Sequence, residues 1–420
     1  MFGGAARLPR LILGLIAAGG CITVSLADTA SRYDLDYTLT PVPEKQSVDV
    51  ELRLGQPTGL LLEMRFDAGA VSDVKGDGEI LEEDGKVRWL PPADGGSIRW
   101  RASAVNKRSS GGYDAWLDED WGLFRAEDVI PRAATRAANG AESDTTMRFD
   151  LPDGWSVVTE FLREGDIFLV PDPRRRFQQP TGWIVMGQLG VRREVIAGSE
   201  VAVAGPTGQG VRRMDMLAML NWTLPELARI LPSMPPRITI FSAGKPMWRG
   251  GLSAPRSFFM HVDRPMISEN GTSTLLHEVM HVAIGITART GYDWIVEGFA
   301  EYYSLQLLSR SGTITSKRLA AALDQLSDWS RSAESLCGKS STGAETALAV
   351  LVMRNLDTEI RNASLNSHNL DDVLYRMIRK GSRFDLAGLR DVSEDLIGAK
   401  ADALHSRNLP GCSKLESESR

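Results

Sequence analysis

Four side chains between Thr274 and Tyr303 have the types and spacing for metal-assisted chemistry. His277, Glu278 and His281 form a His-Glu-x-x-His pattern, and Glu297 follows after 15 intervening residues, inside Trp-Ile-Val-Glu-Gly-Phe-Ala-Glu-Tyr. Residues four apart on a helix lie one above the other on the same face. His277 and His281 can therefore aim two imidazoles at one ion, with Glu278 beside them facing the same pocket. A catalytic zinc uses three protein ligands and keeps one position open. Glu297, arriving from a second helix after a short loop, is the natural third ligand. A zinc ion held in this way lowers the pKa of its water and polarises a carbonyl. Glu278 is then placed to serve as general base and to pass the proton to a leaving amine. The expectation is one Zn2+ per chain and the hydrolysis of peptide bonds in a peptide or protein substrate.

These residues need two buried helices to position them. Leu275, Leu276, Val279, Met280 and Ile284 make the segment around the histidines apolar, as a buried helix requires. Asn270-Gly271-Thr272 supplies turn and cap residues, with Thr272 the expected N-cap. Gly285 is the expected end, and Asp293 the expected cap of the next helix. Glu301 falls one turn after Glu297, where it can accept a hydrogen bond from a ligand histidine; Asp293 is a second candidate for that role. Gly298 costs a helix roughly 1 kcal/mol against Ala, which points to a close backbone approach there. Further helices are expected over Ser316–Trp329, Thr342–Arg361, Leu370–Arg379 and Ser393–His405. Upstream, Arg237-Ile-Thr-Ile-Phe and Ser257-Phe-Phe-Met-His-Val read as strands. Met214 to Leu231 reads as helix, with Pro225 opening a second segment. Gly205-Pro-Thr-Gly-Gln-Gly lacks the Lys-Ser/Thr of a phosphate loop and reads as a surface turn.

From Tyr33 to about Phe168 the pattern is that of strands. Tyr33-Asp-Leu-Asp-Tyr-Thr-Leu-Thr, Ser47-Val-Asp-Val-Glu-Leu-Arg-Leu and Ser97-Ile-Arg-Trp-Arg-Ala-Ser-Ala alternate polar with apolar, as half-buried strands do. Asp77-Gly78, Asp84-Gly85 and Asp94-Gly95-Gly96 separate them. A helical period shows only over Ala126 to Ala138. The polar stretch from Asp172 to Pro180 marks a boundary. Before all of this, Arg7 and Arg10 precede an apolar run from Leu11 to Leu26, and Ser25-Leu26-Ala27 offers a cleavage site before Asp28. This is the pattern of an export signal; the alternative is lipoprotein processing at Cys21. No other apolar run is long enough to span a membrane, so no stable span remains after cleavage, and the expected location is periplasmic or secreted. Loss of Cys21 leaves Cys337 and Cys412, an even pair expected to form a disulfide in an oxidising compartment. The net charge of -6 argues against nucleic acid as a partner, and Arg174-Arg175-Arg176 reads as a solvated loop.

His277-Glu278-x-x-His281 together with Glu297-Gly298-Phe299-Ala300-Glu301-Tyr302 resembles the gluzincin metallopeptidases, in particular the aminopeptidase N and glycyl aminopeptidase families. Arg148-Phe-Asp-Leu-Pro-Asp-Gly-Trp-Ser-Val resembles a segment late in the β-rich domain of the glycyl type. Leu356-Asp-Thr-Glu-Ile-Arg and Asn369-Leu-Asp-Asp-Val-Leu resemble C-terminal helices of these families. After the export signal over 1–27, the resemblance implies an α+β fold: an all-β, sandwich-like domain over 28–175 and a thermolysin-like zinc-peptidase domain over 176–420. That last domain would have a mixed α/β lobe to about residue 290 and a helical lobe after it. Two features depart from the families. The Tyr-x-Lys-Gly that supplies an oxyanion donor is absent around Thr342 to Leu348, leaving Tyr292, Tyr302, Tyr303 and His261 as substitutes. Gly250-Gly251-Leu252-Ser253 keeps the glycines of the segment that holds a substrate amino terminus, but has Ser253 where an acid is expected. The alternative reading is a zinc-bearing, weakly active or inactive envelope binding protein on the same fold.

Overall fold

The computed structural model describes residues 31–172, 175–381 and 383–412. The expected signal segment, the cleavage point before Asp28, Cys21 and Arg174 lie outside the described residues. Within them the fold is mixed α and β, with several sheets and eight helices.

Alternation builds the first sheets. In Arg32–Val42 every second side chain is buried, so Tyr33, Leu35, Tyr37 and Leu39 face inward while the residues between them face out. This strand lies inside a seven-stranded sheet, antiparallel to Ser47–Gly55 and parallel to Glu142–Phe149. A four-stranded sheet contains Leu61–Asp67 and Lys86–Leu90, and a five-stranded sheet contains Tyr113–Leu117, Trp121–Arg125, Ser156–Thr159 and Trp183–Gly187. The three share one core, to which they send Leu35 and Leu52, Phe66 and Trp89, and Phe124 and Ile184. Helix α1 is only Ala126–Val129, and Ala134–Ala137 is a strand, so the helical period expected to run to Ala138 stops early. Strand pairing also carries this β-rich part past Asp172–Pro180, because Trp183–Gly187 pairs with Ser156–Thr159 and Trp121–Arg125.

That five-stranded sheet buries both faces. Phe124, Ile184 and Met186 enter the first core. Leu123, Trp183 and Val185 turn the other way, against Ala204, Phe241 and Phe259 of the next sheet. The next sheet runs in the order Leu189–Ile196, Ser199–Pro206, Arg237–Ala243, Ser257–His261, Gly251–Ala254. Its middle three strands are parallel, and both outer pairings are antiparallel. Helix α2 (Arg213–Ala228) connects the first parallel pair and contains Pro225. Pro225 therefore does not open a new segment. The buried Leu220, Leu224 and Leu227 hold the helix together across the one hydrogen bond the proline removes.

The remaining helices are α3 (Thr274–Ile284), α4 (Asp293–Arg310), α5 (Ser316–Ser330), α6 (Ala344–Ala363), α7 (Leu370–Lys380) and α8 (Leu386–Ile397). Together with one face of the Leu189–Ile196 to Gly251–Ala254 sheet they build the largest core, which runs from Val201 and Ile240 through Leu276, Phe299 and Met353 to Leu404. The last helix lies earlier than the expected Ser393–His405. Asp385 caps its start by accepting the Gly388 N–H at 2.8 Å, and Gly398, with φ 74°, ends it. A disulfide joins Cys337 to Cys412. Among the described residues no helix is long and apolar enough to cross a membrane.

Candidate metal centre

Helix α3 starts one residue later than expected. Ser273, not Thr272, is the cap, and its Oγ accepts the Leu276 N–H at 3.3 Å. Thr272 is drawn back instead to Ser268, 2.9 Å away. Gly285 ends the helix in the left-handed region, with φ 62°, where a side chain would be disfavoured. Leu275, Leu276, Val279 and Met280 are fully buried, which leaves the His277–His281 face towards α4.

Helix α4 approaches α6 closely at Gly298. A Cβ there would lie 3.0 Å from the Ala349 Cβ and 3.3 Å from the Ala349 carbonyl oxygen, so glycine lets the two helices meet behind Glu297. Tyr292 is the residue before the first turn, with no side-chain cap. Asp293 is the first helical residue, and its carboxylate accepts the Ser341 N–H at 2.9 Å. Asp293 thus ties the start of α4 to the loop before α6 and does not reach a ligand histidine.

The three expected ligands meet. His277 Nε2 and His281 Nε2 are 3.1 Å apart. Glu297 Oε2 lies 3.3 Å from His277 Nε2, and Glu297 Oε1 lies 3.3 Å from His281 Nε2. A tetrahedral zinc with bonds of about 2.0–2.1 Å spaces its ligand atoms by about 3.3 Å, so the separations between the two histidines and between each histidine and its nearer Glu297 oxygen are of the size that ion requires. His277 Nδ1–H donates to Glu301 Oε2 at 2.8 Å. Once the proton on Nε2 is lost, this bond fixes the tautomer whose Nε2 lone pair faces His281 and Glu297. Among the described residues these are the three side chains that form such a group.

The charges reinforce one another. Burial works to lower the His277 pKa, but its bonds to Glu297 and Glu301 prevail and raise it well above the ordinary 6.5. Burial likewise works to raise the Glu297 pKa, and the two histidines overcome it and hold the carboxyl below the usual carboxylate range. Glu278 goes the other way. Burial raises its pKa against the opposing pull of His277 and His281, which suits a group that must take up a proton.

Two cavities flank the triad. One, of about 350 Å³, is lined by His277, Glu278, Glu297 and Glu301 and reaches Trp248, Arg264 and Thr342. The other, of about 420 Å³, is lined by His281, Asp293 and Glu297 and by Ser253 through Arg256. Glu297 borders both. The edge strand Gly251–Ala254 runs beside them, held from behind by a hydrogen bond from Trp183 Nε1 to the Leu252 carbonyl at 3.0 Å. A Cβ on Gly251 would lie 2.5 Å from Glu278 Oε1, so glycine is needed for the strand to pass the carboxylate.

The fold is similar to that of an aminopeptidase N family protein from Idiomarina loihiensis. The TM-score is 0.64 at 14% sequence identity, over 92% of this chain and 75% of that one. The sequence matches no protein-family model and no curated protein.

The four expected oxyanion donors lie elsewhere. The Tyr302 hydroxyl donates to Asp357 at 3.1 Å and the Tyr303 hydroxyl to Asp371 at 2.9 Å. Arg310 and Arg361 pair with the same two carboxylates. Both tyrosines are thus committed to a polar network among α4, α6 and α7. Burial above all, and then the neighbouring carboxylates, push both phenols up. His261 is buried at the end of its strand, where its Nδ1 accepts the Asp263 N–H at 3.1 Å. Tyr292 packs against the largest core. Among the described residues no tyrosine lines either cavity. Sequence reasoning missed Trp248, Arg264, Thr342 and Thr346, which line the first cavity. They come from three separate stretches, and no local spacing announces them.

Proposed function

We propose that this chain is an exported zinc-dependent metallopeptidase of the gluzincin type. The observation that carries the reading is the ligand triangle beside a buried Glu278 at the wall of an open cavity. His277, His281 and Glu297 would hold the ion, and Glu301 would orient His277. Zinc, when bound there, supplies a Lewis acid and a water of lowered pKa. Glu278 takes the proton of the attacking water and delivers it to the leaving amine. The edge strand Gly251–Ala254 offers free backbone groups to an extended peptide. The fold shared with an aminopeptidase N family protein supports a peptidase, and three ligands rather than four support a catalytic over a structural ion.

In this reading the β-rich part, residues 28–175 extended to Gly187 by strand pairing, is a sandwich-like domain. The remainder is the thermolysin-like catalytic domain. The disulfide between Cys337 and Cys412 fits an oxidising compartment, periplasmic or extracellular. The purified protein is expected to carry about one zinc per chain. Glu278→Gln should keep that zinc and lose peptide hydrolysis by about 10²–10⁴-fold. A zinc-loaded wild type that cleaves no member of a diverse peptide library would instead favour a binding protein on this fold.

A further inference from the structure

The cavity on the His277 side contains a cation that the proposed reaction does not use. Arg264 lines it together with Trp248, Leu326 and Trp329. Apart from His277 it is the one basic side chain among the described lining residues. Glu297 and Glu301 are engaged with the histidines, and Glu278 is reserved for the proton. No carboxylate of the cavity is left to balance the guanidinium. Among the described residues Arg264 has no ion pair, and its Nε is buried without a hydrogen-bond partner.

The backbone that carries it is held in place. The Arg264 N–H donates to the His261 carbonyl at 3.0 Å, and the Arg264 carbonyl accepts from the Arg212 guanidinium. Arg212 also donates to the Val262 carbonyl at 3.3 Å. The loop is thus pinned by a second arginine, which adds positive charge. The adjacent acid, Asp263, is exposed and lies 3.9 Å from Arg249. A guanidinium with a buried, unpaired nitrogen is costly. Its planar fork matches a carboxylate in two parallel hydrogen bonds. The tryptophans and Leu326 give an apolar wall along which a side chain carrying a carboxylate at its tip can lie.

We infer that Arg264 is a specificity-determining residue that binds a carboxylate of the peptide substrate, from an Asp or Glu side chain or from the chain terminus. This rests on the peptidase reading for the nature of the ligand. It also inverts the expected anchoring: Ser253 offers no charge to an amino terminus, and the cavity offers a cation to an acid.

The test uses zinc-loaded, full-length Glu278→Gln protein and calorimetric binding, so no turnover is required. The probes are acetyl-hexa-alanine amide with Glu moved through each position, the matching Gln peptides, and the unsubstituted peptide as free acid and as amide. At least one acidic probe is expected to bind about tenfold or more tightly than its neutral twin. Whether that probe is a Glu peptide or the free acid separates side chain from terminus. Adding Arg264→Gln should bring the pair to parity and leave the neutral twin within about twofold. Arg264→Lys, which keeps the charge without the fork, should retain part of the preference. Parity of every pair before mutation, absence of binding by every acidic probe, or a preference that survives Arg264→Gln would overturn the inference. Hydrolysis is scored separately with Glu278 intact. A carboxylate preference without cleavage removes the peptidase reading alone, and cleavage without preference removes this inference alone.

Discussion

At the scale of residues, Glu301 has the most testable part. It holds His277 through Nδ1 at 2.8 Å, so Glu301→Ala should weaken zinc binding by about 10–100-fold. Competition with a chromophoric chelator measures this, and an unchanged affinity would remove Glu301 from the site. The same pair sets a pH dependence. In the metal-free protein His277 keeps its proton to a pH well above 6.5, and zinc must displace it. The protonated pair stabilises the metal-free fold fully below the unfolded histidine value of about 6.5, and this is lost as pH rises through the raised folded value. Both effects have one sign: the gain in Tm on adding zinc should grow as pH rises. A gain that is flat or shrinks with pH counts against the assignment. The convergence of His277, His281 and Glu297 beside Glu278 was legible because His277, Glu278 and His281 are local, and Glu297 lies one short loop away. Arg264 was not, since nothing near it in the chain says that it will line the same cavity as His277.

At the scale of elements, the edge strand Gly251–Ala254 and helix α3 meet at Gly251. A Cβ there would come within 2.5 Å of Glu278 Oε1 and 2.7 Å of Thr274 Cγ2. Gly251→Ala must therefore displace the base. Hydrolysis is expected to fall by about tenfold or more, while zinc content stays near one per chain. Equal activity in the variant would mean that the strand yields and Glu278 does not. Gly298 shows what sequence could and could not say about elements. Its cost in a helix pointed to a close approach, but only the packed structure names α6 and Ala349 as the neighbour. Boundaries followed local signals where one residue decided, as at Gly285. They slipped where two neighbours competed, as Thr272 and Ser273 do for the cap. The expected last helix over Ser393–His405 shares only its first turn with α8, because Asp385 starts that helix earlier and Gly398 ends it.

At the scale of the whole molecule, the Cys337–Cys412 bond spans 75 positions, and Cys412 is buried in the helical core. Reducing it, or making Cys337→Ser with Cys412→Ser, should lower stability by about 2–4 kcal/mol, read as a fall in Tm. Zinc stoichiometry should be unaffected, because the bond lies outside the ligand set; metal loss on reduction would contradict this arrangement. Alternation predicted the β-rich part well, but not its extent. Gly182-Trp-Ile-Val-Met-Gly reads as a short strand beyond the boundary, but its uniformly apolar run, covered on both faces, carries no alternation that would assign it to those sheets. The placement of Arg32–Val42 has a consequence for how the chain comes together in time. This early strand is an interior strand. Ser47–Gly55 covers one of its edges at once, whereas the other waits for Glu142–Phe149. During synthesis or translocation that edge stays open while about a hundred residues emerge. For that interval the nascent chain carries an unpaired, half-apolar strand, which keeps it unfinished, accessible to chaperones, and dependent on the arrival of residue 149 to close.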